Sequence, residues 1–214
     1  MSNTASSWST SKTRRLVFLA IWSAIIVVMA VTPYVGYFPF PFLPVTLTLL
    51  QIPVIVGAIM LGPVDGAFLG LVFGITSMIQ APFLQAPTAF LFNPFVTGGS
   101  YKSAIIALVP RILIGVVAAY VFRLVKKIDK TEAFAALAAA VIGTLTNSVL
   151  VLGGFFVFFK DKLASGKTAQ FFFKVLVGIF VSNSLLEIAA TALVVTAVWM
   201  ALSVIIRRSS LRKV

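Results

Sequence analysis

The chain has 214 residues, 60% of them hydrophobic and only 10% charged, with a mean hydropathy of +1.11. That leaves too little polar surface to cover a water-soluble globule, and several runs reach the roughly 18 apolar residues that mark a spanning helix. Cysteine and histidine are absent, which excludes disulfides and thiolate metal sites and removes the commonest metal ligand and general base. The net charge of +12 does not point to nucleic acid, because the basic residues gather at the ends of apolar runs without an aromatic-basic stripe, as topology signals do.

In chain order, hydropathy predicts six apolar segments: Leu16 to Val35, Leu49 to Leu61, Gly66 to Ile79, Ser103 to Val125, Ala133 to Phe159 and Phe171 to Ile206. The expected fold is an all-α integral membrane protein, a bundle of six transmembrane helices in one membrane domain spanning 1–214, with tails at 1–14 and 207–214. The first segment is too long for a signal peptide and no small-x-small cleavage site follows it, so it is read as a retained helix. The second and third, joined by a tight Gly62-Pro63 turn, are short for a hydrocarbon core of about 30 Å. Lysine and arginine fix the orientation. With the N-terminus cytosolic, eleven basic residues fall inside (Lys12, Arg14, Arg15, Arg123, Lys126, Lys127, Lys130, Arg207, Arg208, Arg212 and Lys213) and five outside (Lys102, Lys160, Lys162, Lys167 and Lys174). That bias places both termini in the cytosol.

Two outer connections carry no charge and are rich in proline. Tyr34 to Thr48, YVGYFPFPFLPVTLT, favours an extended, semi-rigid path and has the composition of a lid, with Tyr37, Phe38 and Phe40 expected to be shielded when a ligand binds. Ala81 to Ser100, which contains Asn93, is long enough to be functional rather than idle. The plainer reading puts the aromatic residues of both loops in the headgroup region as anchors.

Two motifs carry little. Gly166-Lys167-Thr168 ends like a phosphate-binding loop, but Asp161 stands where its first glycine belongs and the expected topology puts the loop outside. Gly66, Gly70 and Gly74 make a smooth stripe, read as internal packing. Polar residues within the spans say more. Arg111 lies inside IIALVPRILIGVV, where an ionisable group costs at least about 2.5–3.5 kcal/mol and normally faces a partner, the bundle interior or a substrate path. Asn147 joins it from the fifth segment, and Asn183 and Glu187 share one face of the sixth. Counted from each helix's cytosolic charge, Arg111 stands roughly 18 Å above Arg123, Asn147 roughly 22 Å above Glu132 and Glu187 roughly 30 Å above Arg207. All three levels fall in the outer half of the bilayer, which describes a pocket open to the outside. Alternatively Arg111 and Glu187 neutralise one another, with the asparagines as interhelical glue.

The run TLLQIPVIVGAIMLGPVDGAFLGLVFG, Thr48 to Gly74, resembles the second and third helices of the substrate-binding S components of energy-coupling-factor (ECF) vitamin transporters, in particular the pantothenate-type group. VPRILIGVVAAYVF, GTLTNSVLVLGG and SNSLLEIAATALV fit the same pattern. The resemblance implies a six-helix bundle that captures a vitamin from outside under its first outer loop and topples in the membrane to deliver it. It also implies an alanine-xxx-alanine docking motif on the first helix, matched by Ala20 and Ala24, which packs against a membrane T component driven by two ATPase subunits. Pantothenate is then the leading ligand, its carboxylate for Arg111 and its amide and hydroxyls for Asn147, Asn183 and Glu187, with Tyr37, Phe40 and Asn93 contributed by the outer loops. The expectation is a transport subunit of the cell membrane with no catalytic, cofactor or metal site. The competing function is a stand-alone secondary transporter of a small organic acid in which Glu187 carries the proton.

Overall fold

The computed structural model describes residues 12–39, 46–83, 92–96, 99–128, 132–163 and 167–211. Among these residues the elements in order are α1 (Lys12–Val31), β1 (Tyr37–Pro39), β2 (Thr46–Thr48), α2 (Gln51–Leu61), α3 (Pro63–Gln80), α4 (Tyr101–Val125), α5 (Ala133–Leu163) and α6 (Lys167–Leu211). The fold is all-α and membrane-embedded, with a small antiparallel hairpin at one end of the bundle. Five helices are long and apolar enough to cross a membrane; α2 is not. Its 11 residues reach about 16 Å, half the hydrocarbon thickness, and the β hairpin precedes it directly in the chain.

Helix ends depart from the hydropathy boundaries for local reasons. α1 starts at Lys12 and stops at Val31, short of Val35, because Pro33 biases the residue before it away from helix. α3 starts at Pro63 rather than Gly66: proline sits in its first turn, and Gly62 takes a φ of 105° that suits glycine. Helix α4 begins at Tyr101 rather than Ser103, the Ser100 amide donating to Ser103 Oγ at 3.2 Å. At the far ends, α5 and α6 outrun their apolar stretches to Leu163 and Leu211, since lysine and arginine are good helix formers. The expected tails therefore shrink, with Lys12–Arg14 and Arg207–Leu211 helical.

Packing is sequential from α3 through α4 and α5 to α6; α2 fills the centre and touches all of them, and α1 lies outside against α2 and α3. The core gathers Val54, Ile55, Leu69, Phe73, Ile114, Ala118, Ala139 and Val195. The glycine stripe of α3 lies on α4. A Cβ at Gly66 would stand 2.8 Å from the Gly115 carbonyl, one at Gly74 would stand 3.0 Å from that of Ala107, and one at Gly70 would overlap the carbonyl of Arg111. The stripe therefore serves the internal packing expected of it, and it holds the backbone of Arg111 hard against α3. Gly70→Val is expected to prevent this approach, since the obstacle is backbone; overpacking of this kind costs about 1–3 kcal/mol or more. Gly178→Ala, where the added carbon meets nothing within 4 Å among the described residues, serves as the control. Detergent melting curves that are alike for the two variants would contradict this account.

At the end of the bundle opposite the hairpin, Arg15 donates from Nε and Nη2 to the two carboxylate oxygens of Asp65, both at 2.6 Å. This fork ties the start of α1 to the first turn of α3, where a carboxylate also suits the helix dipole.

Candidate functional site

The site begins with the dipeptide Pro110-Arg111. Proline in mid-helix has no N–H to give the carbonyl four residues earlier. In α4 that carbonyl belongs to Ile106, and Arg111 Nη1 donates to it at 2.9 Å. The break in the ladder thus draws the guanidinium inward. Its carbon stands 4.8 Å from the centre of the Phe92 ring and 5.6 Å from that of Phe73, within cation–π range. Arg111 is 7% exposed, and its Nε meets no acceptor among the described residues. Nor does any carboxylate of the described residues come within 4.0 Å of it, the ion pairs there being Arg15–Asp65 and Lys126–Glu132. Arg111 and Glu187 are therefore not a closed salt bridge, and a buried cation is left facing the interior.

Helix packing sets the heights of the other groups. Gly143 of α5 faces Ile55 of α2 and the Ile114 backbone of α4, with an added Cβ 3.4 Å from Ile55 Cδ1 and 3.7 Å from the Ile114 oxygen. This apolar layer is a floor. One turn toward the hairpin, the same faces carry Gln51 on α2, Arg111 on α4 and Asn147 on α5. Gln51 Nε2 donates to Thr191 Oγ1 at 2.9 Å, which brings α6 to this level, and one turn further up α6 stands Glu187 and then Asn183. Asn183 Nδ2 donates to Glu187 Oε1 at 3.3 Å, and the same oxygen accepts the Thr48 backbone amide at 2.7 Å. The end of β2 is thus bound directly to α6. Gln51, Asn147, Asn183, Glu187 and Thr191 are all buried, and Gln51 Oε1, Asn147 Oδ1 and Asn183 Oδ1 have no donor among the described residues.

The hairpin closes the top. β1 pairs with β2 so that Tyr37 lies opposite Thr48 and Phe38 opposite Leu47. The Tyr37 hydroxyl shares a 3.0 Å hydrogen bond with Ser77 Oγ of α3, and burial pushes the phenol up to about 12, so it keeps its proton at neutral pH. Thr48 on α6 and Tyr37 on α3 are two attachments spanning the bundle.

Four residues expected at the site, Arg111, Asn147, Asn183 and Glu187, converge within two helical turns. The loop residues divide. Tyr37 is buried, while Phe38 remains 40% exposed. Phe40 lies outside the described residues, as do parts of the second outer loop and Gly166 of the rejected phosphate-loop motif. Asn93 is buried, but both ends of its amide are used locally: Nδ2 donates to the Met78 carbonyl at 2.7 Å, and Oδ1 accepts the Phe95 amide at 2.7 Å. It shapes the turn that presents Phe92. Sequence reasoning missed Gln51, Thr191, Phe73, Phe92 and the Thr48 amide. Ala20 and Ala24 are exposed on α1, away from this site.

Known proteins give the arrangement a context. The family of ECF transporter substrate-specific components matches residues 14–199. The pantothenic acid transporter PanT of Lactococcus lactis subsp. cremoris is 42% identical over 201 residues, covering 90% of this chain and 95% of the relative. The pantothenate transporter PanT of Leuconostoc mesenteroides subsp. mesenteroides is 29% identical over 215 residues, covering 95% of this chain and 99% of the relative.

Proposed function

The chain belongs to the substrate-specific components of ECF transporters, and on that premise we propose that it captures the vitamin pantothenate as an anion from outside the cell for ATP-driven import. Membership makes it a transport subunit, not an enzyme, and one that works with a membrane-embedded coupling module. The finer assembly belongs to the proposal: a T component and two ATPase subunits, in the cell membrane, with both termini cytosolic.

One observation carries the ligand reading. Arg111 is a buried guanidinium with an unfilled Nε and no carboxylate partner among the described residues. Stabilising such a charge in low dielectric calls for an anion, and a guanidinium edge fits a carboxylate in charge-assisted hydrogen bonds. Pantothenate offers that carboxylate at one end, and an amide and two hydroxyls for Asn147, Asn183 and Glu187. Asn93 acts by shaping the turn that presents Phe92, and Tyr37 by holding the hairpin down. The relatives' names support the same vitamin. The rival function, proton coupling through Glu187 in a stand-alone transporter, does not fit a family of substrate-specific components that work with a coupling module.

Calorimetry on the purified chain tests the reading. Pantothenate is expected to bind saturably, and the analogue with an alcohol in place of the carboxylate more weakly by about 2 kcal/mol or more. Equal affinity for the two would sink it.

A further inference from the structure

Gln51 is fully buried at the head of α2, yet only half of its carboxamide is engaged. Its Nε2 is held by Thr191 Oγ1, itself fully buried, while Oε1 meets no donor among the described residues. Asn147 Oδ1, at the same height, and Asn183 Oδ1, two turns above Thr191 on α6, share that condition. A buried acceptor left without a donor is costly. Three such acceptors, with the unfilled Nε–H of Arg111 level by helical register with those of Gln51 and Asn147, supply groups of opposite polarity: neutral acceptors and a cationic donor.

We propose that Gln51 is a specificity-determining residue of this site, aimed by Thr191 so that Oε1 accepts a hydrogen bond from a hydroxyl or amide N–H in the neutral part of the bound acid. The inference rests on the pantothenate reading, and the chemistry of that ligand suits it. Beyond its carboxylate, pantothenate carries three donor hydrogens, one on the amide and two on hydroxyls, and the lining offers three empty carbonyl acceptors. An acid of the same length without those donors leaves the acceptors desolvated and unfilled. Discrimination by a missing donor is far stronger than discrimination by a missing methylene.

The test pairs a near-isosteric substitution with trimmed ligands. Gln51→Met removes the acceptor and keeps the volume. Melting of the ligand-free protein is expected to stay level or rise, while affinity for pantothenate falls about 10-fold or more. Three analogues, two lacking one hydroxyl each and one with an ester in place of the amide, then locate the lost bond. One of them should bind the native chain more weakly than pantothenate does, yet bind Gln51→Met no more weakly than pantothenate does. Native affinity in Gln51→Met, or an unchanged ratio between pantothenate and every analogue, overturns the proposal. If Gln51→Met does not fold, Thr191→Val carries the same test by freeing the carboxamide to turn, with discrimination against that one analogue expected to drop several-fold and unchanged discrimination counting as refutation. A native chain that does not bind pantothenate defeats the ligand reading and this proposal with it. Native binding that Arg111→Met abolishes and Gln51→Met leaves untouched defeats this proposal alone.

Discussion

Arg111→Met is expected to give a folded protein that no longer holds pantothenate. Truncating one partner of a buried charge pair costs roughly 2–5 kcal/mol, a loss of about 30-fold to several thousand-fold in affinity. The fold should survive because no carboxylate within 4.0 Å is orphaned among the described residues, where the guanidinium meets Phe73, Phe92 and the Ile106 carbonyl. The Met variant leaves the Ile106 carbonyl without its donor, at a cost of about 1–3 kcal/mol, and gains by removing a desolvated charge. Arg111→Lys should bind weakly, since an ammonium cannot both hold the Ile106 carbonyl and offer a second planar pair of donors. The ligand with an alcohol for its carboxylate should bind the native chain poorly and lose little more against Arg111→Met. If Arg111 were instead the structural counter-ion of Glu187, the single variant would be unstable, and adding Glu187→Gln would restore both melting temperature and affinity. Recovery of binding in that double variant would refute the carboxylate anchor.

How much of this was legible in the sequence depends on whether a residue's role is set by its own helix or by what comes to cover it. Arg111, Asn147, Asn183 and Glu187 could be found because an isolated polar group in a long apolar run has a cost that spacing converts into a depth. Gln51 could not be found this way. It stands next to Leu49 and Leu50 at the edge of a short segment, where a polar residue marks a headgroup boundary. Only the packed bundle, which sets it against Thr191 of α6, takes it out of water. Thr191 looked like any helical threonine. The Pro110 signal was on the page, since the carbonyl that proline frees is four residues back and within reach of the next side chain, but nothing in periodicity says which donor will take it. Asn93 also has a local role that its sequence context shows: an asparagine followed by proline marks a turn, and its side chain bonds the amide two residues on.

Ala20→Leu combined with Ala24→Leu is expected to separate the chain from its coupling module while leaving pantothenate affinity and melting temperature at native values. Leu16, Ala20, Ala24, Val28 and Val31 recur at helical spacing on α1, and all five are exposed. Within the bundle α1 packs against α2 and α3, with Ile26 and Ala30 as its buried contacts. The alanines are thus the low points of an outward apolar face. Lipid offers such a face no hydrophobic reason to find another helix; association depends on backbones coming close, which small side chains permit. Two leucines make the face more apolar, and so no less comfortable in lipid, while removing the notch. The Arg15–Asp65 fork holds the start of α1 to α3, so the substitutions cannot be absorbed by α1 rolling over without breaking two charge-assisted bonds. Tagged chain co-expressed with the module is the measurement: the native protein should bring down the T component and the double variant should not, at equal expression and equal pantothenate binding. Co-purification that survives both leucines would place the docking surface elsewhere on the bundle.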